Sequence, residues 1–453
     1  MAVFFDITTS ARWRGHAVGI VRVERELARR APSHIEGLGY CVYDRAKNNF
    51  VKLKADVARE ILDGRLVIQF EGAAQPRVRG RLAEAKTRLR NQIIGSPRLY
   101  QIIQRLRGRS FSVDQIRHIR AKEIETLAHK KEAEISEISL DAAAECVVEL
   151  NADVMILSGG LDWEYKDLRA IYKLKKLSGM KYAAILYDLI PELFPQFVVP
   201  SYVDLLLDYF GELFWVADCV MAISAQSKLD MERYCQERGM PTPTADHFAL
   251  GADLPVQDRS QGNLPKALVG KRYALYVSTI EPRKNHRAVY EAWDYSLRNN
   301  MIDPEADRLV FVGRSGWNTG DLLHEINHNP VTKDTIVILS NVSDEDLQRI
   351  YREATFGLFP SHYEGYGLPL AEMLNLGKAC ISSRAGSLLE VGGDLVTYVE
   401  PFDRLGWARE MASFFSDKAK VEAIEARVAR EYIQINWDRS AREFFTKLEA
   451  LSN

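Results

Sequence analysis

Two glutamates, Glu364 and Glu372, lie eight residues apart on either side of a glycine turn, residues 365–367. The chain after this turn, from Leu368, is typical of a helix start. A glycine turn that runs into a helix leaves backbone N–H groups unpaired, and such groups bind phosphate well. Carboxylates accept paired hydrogen bonds from vicinal hydroxyls. The stretch therefore predicts a phosphate site flanked by two hydroxyl-binding carboxylates, an arrangement that suits a nucleotide-sugar.

A pair of cations, Arg283 and Lys284, follows an apolar stretch, residues 273–278, that is typical of a buried parallel strand. Ligands of open α/β sheets bind beyond the carboxyl ends of the strands, so the pair is expected at the mouth of a cleft. There the two positive charges would neutralise a diphosphate leaving group. The alternative is a solvated Arg-Lys pair at the start of a helix.

The elements that must position these residues alternate between strand and helix in both halves of the chain. At 453 residues the chain exceeds the roughly 250–300 at which a single core stops growing, so two domains are expected. The alternation predicts an α/β protein with two doubly wound, Rossmann-like domains facing a central cleft. The expected boundaries are 1–262 for the first domain, 263–430 for the second and 431–453 for a C-terminal helix.

Residues 360–373 resemble the Glu-x7-Glu signature of retaining glycosyltransferases of family 4, which have the GT-B fold. The resemblance continues through residues 376–383 and 385–393, and it covers the N-terminal half more loosely. It implies transfer of a sugar from a nucleoside diphosphate donor to a hydroxyl of a glycan or lipid-linked glycan. It also implies that the domain 1–262 binds the acceptor, that the domain 263–430 binds the donor and that the helix 431–453 packs back on the first domain. Residues 280–285 are similar to variants found in bacterial polysaccharide transferases, including mannosyltransferases. This similarity favours GDP-mannose as the donor and leaves UDP- and dTDP-sugars open.

The resemblance also implies roles for individual residues. Glu364 would bind hydroxyls of the donor sugar and Glu372 those of the ribose. The residues expected to act in catalysis are Glu364, Lys284, Arg283 and Asp188. The residues expected to bind the donor are Gly19, Arg283, Lys284, Glu364, Gly365, Tyr366, Gly367, Leu368 and Glu372. No metal and no cofactor is expected beyond the nucleotide-sugar.

The chain departs from the family pattern at two positions. Thr279 stands where many members have arginine, and Arg283 is expected to substitute for it. Tyr187 replaces the histidine of a His-Asp-x-x-Pro pattern, so any role of that imidazole is lost. The next residue, Asp188, either orients the acceptor hydroxyl or caps the turn after its strand. Gly19, which precedes a helix predicted over 19–30, would let the backbone approach the diphosphate from the opposite domain.

A basic segment, residues 76–122, carries a local net charge of +11, although the whole chain has −2. Apolar residues recur through it largely at helical spacing, within a helical insertion expected over about 76–145. Such a segment predicts contact with an anionic membrane surface. A solvated insertion that packs on its own domain is the alternative, and nucleic acid is not expected because stacking residues are few. Without a signal peptide or a membrane-spanning run, the expected location is cytoplasmic, peripheral at the inner face of the plasma membrane.

Two further motifs resemble metal-binding sites. His324 and His328 fit the HExxH pattern of zinc proteases, but Asn329-Pro330 ends that helix at once. Residues 344–346 resemble a DxD metal motif, yet Ser343 and Asp346 also form a capping box, and a helix cap is therefore predicted. The competing functions are a nucleotide-sugar epimerase or hydrolase on the same fold, a zinc metalloprotease, and a non-catalytic membrane-surface or carbohydrate-binding scaffold.

Overall fold

The computed structural model describes residues 1–15, 17, 19–70, 135–253 and 262–452. Within these ranges the strands form an eight-stranded sheet in the N-terminal half, a six-stranded sheet in the C-terminal half and a separate two-stranded ladder. Strands alternate with helices along the chain in both halves. The basic segment 76–122, for which membrane contact is predicted, lies outside the described residues.

The eight-stranded sheet has the order β10-β9-β8-β7-β1-β2-β3-β6. The strands of the N-terminal half are β1 Ala2–Asp6, β2 Gly39–Asp44, β3 Asn49–Leu53, β4 Leu66–Gln69, β5 Ser136–Ser139, β6 Ala144–Val147, β7 Val154–Ser158, β8 Lys181–Leu186, β9 Cys219–Ala222 and β10 Thr244–His247. From β10 to β2 every pairing is parallel, whereas β3 is antiparallel to both β2 and β6. The central strands β7 and β9 are buried throughout, as expected for continuous apolar runs covered on both faces.

The six-stranded sheet is parallel throughout and has the order β13-β12-β11-β14-β15-β16. Its strands are β11 Arg272–Val277, β12 Asp307–Val312, β13 Ile336–Leu339, β14 Phe356–Phe359, β15 Cys380–Ser382 and β16 Thr397–Tyr398. The chain reverses its winding direction after β13, so β11 and β14 are neighbours at the centre of the sheet. Such a switch point is where α/β sheets bind ligands.

Helices fill the connections between strands. In the N-terminal half they are α1 Thr8–Arg12, α2 Ile20–Arg30, α3 Ala55–Leu62, α4 Leu140–Ala143, α5 Asp162–Tyr165, α6 Leu168–Ser178, α7 Ile190–Leu193, α8 Pro200–Val216 and α9 Ala225–Glu237. In the C-terminal half they are α10 His286–Arg298, α11 Gly320–His328, α12 Asp344–Glu353, α13 Leu368–Asn375, α14 Leu388–Gly392, α15 Arg404–Ser416, α16 Lys418–Glu431 and α17 Trp437–Ser452.

The last helix, α17, returns to the N-terminal half and packs against α2, β9 and β10. Its apolar face, which includes Trp437 and Phe444, belongs to the same hydrophobic core as β1 and β7. The two points where the chain crosses between the halves are bonded to each other. The amide of Ala252 donates to Ile435 O at 2.9 Å, and the Asp253 carboxylate accepts from the amide of Trp437 at 2.7 Å.

The end of the expected helical insertion is built differently from the prediction. Strand β5 pairs in parallel with β4, and Ile138 lies opposite Ile68. Strand β6 then joins the main sheet antiparallel to β3. Between these two strands Leu140 and Ala143 are buried in the core. Residues 140–143 are helical, and on either side of them the pairing of β5 with β4 and of β6 with β3 overrides the helical assignment.

The described residues contain no helix that is both long enough and apolar enough to cross a membrane.

Candidate functional site

The predicted cations and the first predicted carboxylate meet where β11 and β14 end. Lys284 Nζ donates to Glu364 Oε1 at 2.6 Å, and Arg283 Nη1 donates to Glu364 Oε2 at 3.0 Å. A 3₁₀ turn, Pro282–Lys284, presents both cations. Asn285 closes this turn in the left-handed region with φ 56°, which asparagine tolerates better than most residues, and donates to Pro360 O at 3.0 Å. The two loops are thus held together as one unit.

The charged groups of this cluster shift one another's pKa values. Burial works to raise the pKa of Glu364, but Lys284 and Arg283 outweigh it and lower the pKa to about 2. Burial lowers the pKa of Lys284 against the opposing charge of Glu364. The Lys284 ammonium carries three N–H donors and the Arg283 guanidinium five. Both side chains are still 15–16 % exposed, so they retain access to the cleft.

Several neighbours that sequence reasoning missed support the cluster. Ser361 Oγ donates to Glu364 Oε1 at 2.7 Å, and Tyr276 OH donates to Lys284 O at 2.8 Å. Glu281 accepts from Arg283 Nη2 at 2.8 Å. The sequence did hold a signal for Glu281, because a carboxylate two residues before Arg283 is close enough along the chain to pair with it. Ser361 and Tyr276 gave none, because their roles depend on the packing of β11 against β14.

Asp188 lies at the end of β8 and faces the cluster from the other half of the molecule. A Cβ added to Gly365 would lie 2.8 Å from Tyr187 O and 3.0 Å from Asp188 Cβ, so only glycine permits this approach. Burial raises the pKa of Asp188, and the nearby positive charge of Arg283 opposes that rise. Asp188 Oδ1 accepts from the amide of Ile190 at 3.0 Å, which is the turn-capping geometry foreseen as one alternative.

The glycine turn begins helix α13 as predicted. Gly367 has φ 95° and is the N-cap of that helix, and Leu368 is its first residue. The side chain of Tyr366 is buried in the hydrophobic core of the N-terminal half, where its hydroxyl donates to Leu250 O at 3.1 Å. A contribution of Tyr366 to phosphate binding would therefore come from its backbone amide. The side chain anchors the turn against the opposite half.

Glu372 lies within α13, and each of its carboxylate oxygens has a partner. Arg22 Nη1 donates to Oε1 at 2.8 Å, and Tyr351 OH donates to Oε2 at 2.7 Å. Burial raises the pKa of Glu372, whereas the Arg22 charge lowers it. Sequence reasoning assigned no role to Arg22, although it completes the Gly-Ile-x-Arg sequence after Gly19.

Gly19 is the N-cap of α2, with φ 51° and ψ −124°, a backbone conformation that L side chains rarely adopt. The start of α2 reaches the cleft through Arg22, which donates to Glu372 of helix α13. The structure thus brings the start of α2 and the carboxyl end of β8 to the glycine turn and helix α13. Tyr187, at the family's histidine position, points back and donates to Gly159 O at 2.5 Å.

The two metal-like motifs make local contacts within their own helices. The rings of His324 and His328 stack with centroids 4.2 Å apart, and His328 Nδ1 lies 2.8 Å from His324 O. In the described part of the chain no three His, Cys, Asp or Glu side chains are grouped so as to hold a metal ion. Ser343 Oγ accepts from the amide of Asp346 at 3.2 Å, which confirms the helix cap.

Comparison with known proteins finds both similar sequences and similar folds. Residues 263–431 match the family described as Glycosyl transferases group 1. The chain is 32 % identical over 186 residues to the O-antigen chain mannosyltransferase B of Escherichia coli, a match covering 41 % of this chain and 46 % of that relative. The chain therefore spans less than half the length of this curated relative.

Solved structures show the fold over a larger part of the chain. HepE of Anabaena, crystallised with UDP and glucose, superposes with a TM-score of 0.56 at 12 % identity, covering 99 % of this chain and 100 % of that one. A trehalose-6-phosphate synthase studied for glycosyl transfer with retention superposes with a TM-score of 0.53 at 14 % identity, covering 66 % and 74 %. The fold is of the GT-B type, as predicted.

Proposed function

We propose that this protein is a retaining glycosyltransferase that moves mannose from GDP-mannose to a hydroxyl of a glycan or lipid-linked glycan in bacterial surface polysaccharide synthesis. The observation that carries the proposal is the cluster of Arg283, Lys284 and Glu364 at the switch point of the second sheet, opposite Asp188. The mannosyltransferase name of the Escherichia coli relative supports the sugar. The retention named for the trehalose-6-phosphate synthase supports the stereochemistry.

In the proposed reaction the second half of the chain binds the donor. Arg283 and Lys284 donate to the diphosphate as the glycosidic bond breaks, together with the amides of residues 365–368. Gly19 contributes its backbone from the opposite side. Glu364, kept ionised by the two cations, accepts hydrogen bonds from hydroxyls of the donor sugar. Glu372 does the same for the ribose.

The acceptor enters from the N-terminal half, and Asp188 orients its hydroxyl. The transition state resembles an oxocarbenium ion, so the charge that develops on the leaving diphosphate is what the protein must stabilise. The acceptor hydroxyl attacks on the face from which the diphosphate departs, and its proton passes to the departing diphosphate. Since Arg283 and Lys284 supply the positive charge, no metal is required. The basic segment 76–122 would hold the enzyme at the inner face of the plasma membrane, near a lipid-linked acceptor.

The first test is donor binding followed by transfer. We expect GDP-mannose, with EDTA present, to raise the unfolding temperature more than UDP-glucose or dTDP-glucose does, because the donor that binds most tightly stabilises the folded protein most. A ligand at 100 times its Kd raises the free energy of unfolding by about 2.7 kcal/mol. Transfer to an oligomannoside should give an α-linked product by NMR. Glu364→Gln should reduce transfer by about 100-fold or more. Glu422→Gln, on the exposed surface of the same half, is the matched control.

Other outcomes would decide against the proposal. Release of free mannose without transfer to any acceptor would favour a hydrolase, and interconversion of the donor sugar would favour an epimerase. A β-linked product would exclude retention. Destabilisation by EDTA, with no stabilisation by any of the three nucleotide-sugars, would overturn the transferase assignment.

A further inference from the structure

Arg22 is held in the cleft by contacts with three separate parts of the chain. Its Nη1 donates to Glu372 Oε1 at 2.8 Å, and its Nη2 donates to Asp253 O at 2.9 Å. Its guanidinium carbon lies 5.7 Å from the ring centroid of Trp437. Asp253 and Trp437 are the residues at which the chain crosses between the halves, and they are hydrogen-bonded to each other. One cation therefore contacts both crossings and a carboxylate of the candidate donor site.

The contact between Arg22 and Glu372 is well shielded from water. The two side chains are 19 % and 7 % exposed, respectively. A buried carboxylate that loses its cation is strongly destabilised in its ionised form. Tyr351 donates one hydrogen bond to the other oxygen but brings no positive charge, and Asp344 at the start of α12 adds a negative one. Arg22 thus pairs with Glu372 and fixes the orientation of its carboxylate.

We propose that Arg22 is a positioning residue for Glu372, so that recognition of the nucleotide ribose depends on the first half of the chain being closed onto the second. This inference rests on the proposed function, in which Glu372 accepts from the ribose hydroxyls. Each carboxylate oxygen has two acceptor sites, so Oε1 and Oε2 can bind a vicinal diol while keeping Arg22 and Tyr351. Arg22 thereby connects the carboxylate that binds the nucleotide to the two points where the chain crosses between the halves.

The first experiment measures donor affinity and turnover for Arg22→Met, with GDP-mannose, UDP-glucose and dTDP-glucose as probes. We expect KM for the donor that the wild type uses to rise at least 10-fold, with kcat changed less than about 3-fold. Arg22→Lys should recover part of the affinity because it restores the charge. Arg29→Met, the same change on the exposed part of the same helix, should leave KM unaltered. Equal donor affinity in Arg22→Met and wild type would overturn the proposal.

A second probe isolates the ribose. The 2′-deoxyribose analogue of the donor should bind the wild type more weakly than the donor does, and this difference should largely disappear in Arg22→Met. If the variant still discriminates as strongly as the wild type, Arg22 does not act through Glu372.

A third measurement needs no ligand and so separates this inference from the proposed function. In Arg22→Met, Glu372 is buried without its cation, so its pKa in the folded state should rise further above the unfolded value of about 4.5. The folded state then loses stability as pH rises from about 4.5 through that raised pKa. Arg22→Met/Glu372→Gln should lack this loss. Identical pH dependence of the two unfolding curves would contradict the role of Arg22, whereas failure of all three nucleotide-sugars to bind the wild type would contradict the proposed function.

Discussion

The carboxyl edges of the two sheets each hold a cluster of charges, and the clusters differ in their access to the cleft. Where β1 and β7 end, Lys166 Nζ contacts Asp6 and lies 2.8 Å from Asp162 Oδ1, and the three side chains are 0–3 % exposed. Where β11 and β14 end, Glu364 lies between Arg283 and Lys284, and these side chains are 12–16 % exposed. The first cluster has two carboxylates for one cation, whereas the second has two cations and two carboxylates once Glu281, the other partner of Arg283, is included.

The carboxyl edge of a doubly wound sheet can therefore hold either a structural cluster or a ligand-binding cluster. Access to the cleft distinguishes the two. The ammonium of Lys166 also donates to Ser158, so its donors are directed at partners within the protein. Such a group is structural. Arg283 and Lys284 retain access to the cleft beside a glycine turn, which is where an anionic ligand would approach. Variants of the two clusters should therefore separate stability from activity.

The largest effect on stability is expected for Lys166→Met. The change leaves Asp6 and Asp162 buried without their counter-charge, and breaking a buried ion pair in this way costs about 3–5 kcal/mol. Denaturant unfolding measures the loss. Lys173→Met, on the exposed side of helix α6, should change the free energy of unfolding by less than about 0.5 kcal/mol. A loss no larger than that of the control would show that the first cluster is not a structural pair.

Lys284→Met should act mainly on the reaction. Removing one donor from a site that stabilises developing charge lowers kcat by about 10²–10³, equivalent to about 2.7–4 kcal/mol of transition-state stabilisation. Steady-state kinetics with the donor identified by the binding panel measures this effect. If Lys284→Met unfolds as readily as Lys166→Met and keeps its turnover, the contrast between the two clusters is wrong.

The third prediction sharpens the comparison through the pH dependence of stability. Glu24 is fully buried beside the first cluster, where its Oε1 accepts from the amide of Ser10 at 2.7 Å. Burial raises the pKa of Glu24 to about 8, although the Ser10 hydrogen bonds oppose the rise. The unfolded chain releases this proton near pH 4.5, so the folded state loses stability as pH rises from there to about 8.

Glu24→Gln keeps the shape and removes the titration. We expect the variant to become more stable relative to the wild type as pH rises from about 4.5 to about 8, with the smallest difference near pH 4.5. Thermal unfolding across this range measures it. A constant difference at every pH would show that Glu24 does not titrate in this window.

Much of the fold could be predicted because its signals are local. Apolar runs predict β7, β8 and β14 within about one residue of their bounds, and Gly367 and Ser343 predict the starts of α13 and α12. The strands β5 and β6 were missed within the expected insertion, since their polar sequences show no clear period and their pairing depends on strands β4 and β3. The roles predicted for the site residues stay predictions until the variants are measured.

The sequence by itself determined the chemistry available: two carboxylates around a glycine turn, a pair of cations after a strand, and the alternation that builds two parallel sheets. Tertiary structure alone decided which of these groups pair. Arg22 and Glu372 are 350 positions apart, and Asp188 reaches Gly365 only because the two halves close on each other. Charge and backbone signals act over a few residues, whereas burial and ion pairing depend on which surfaces meet after folding.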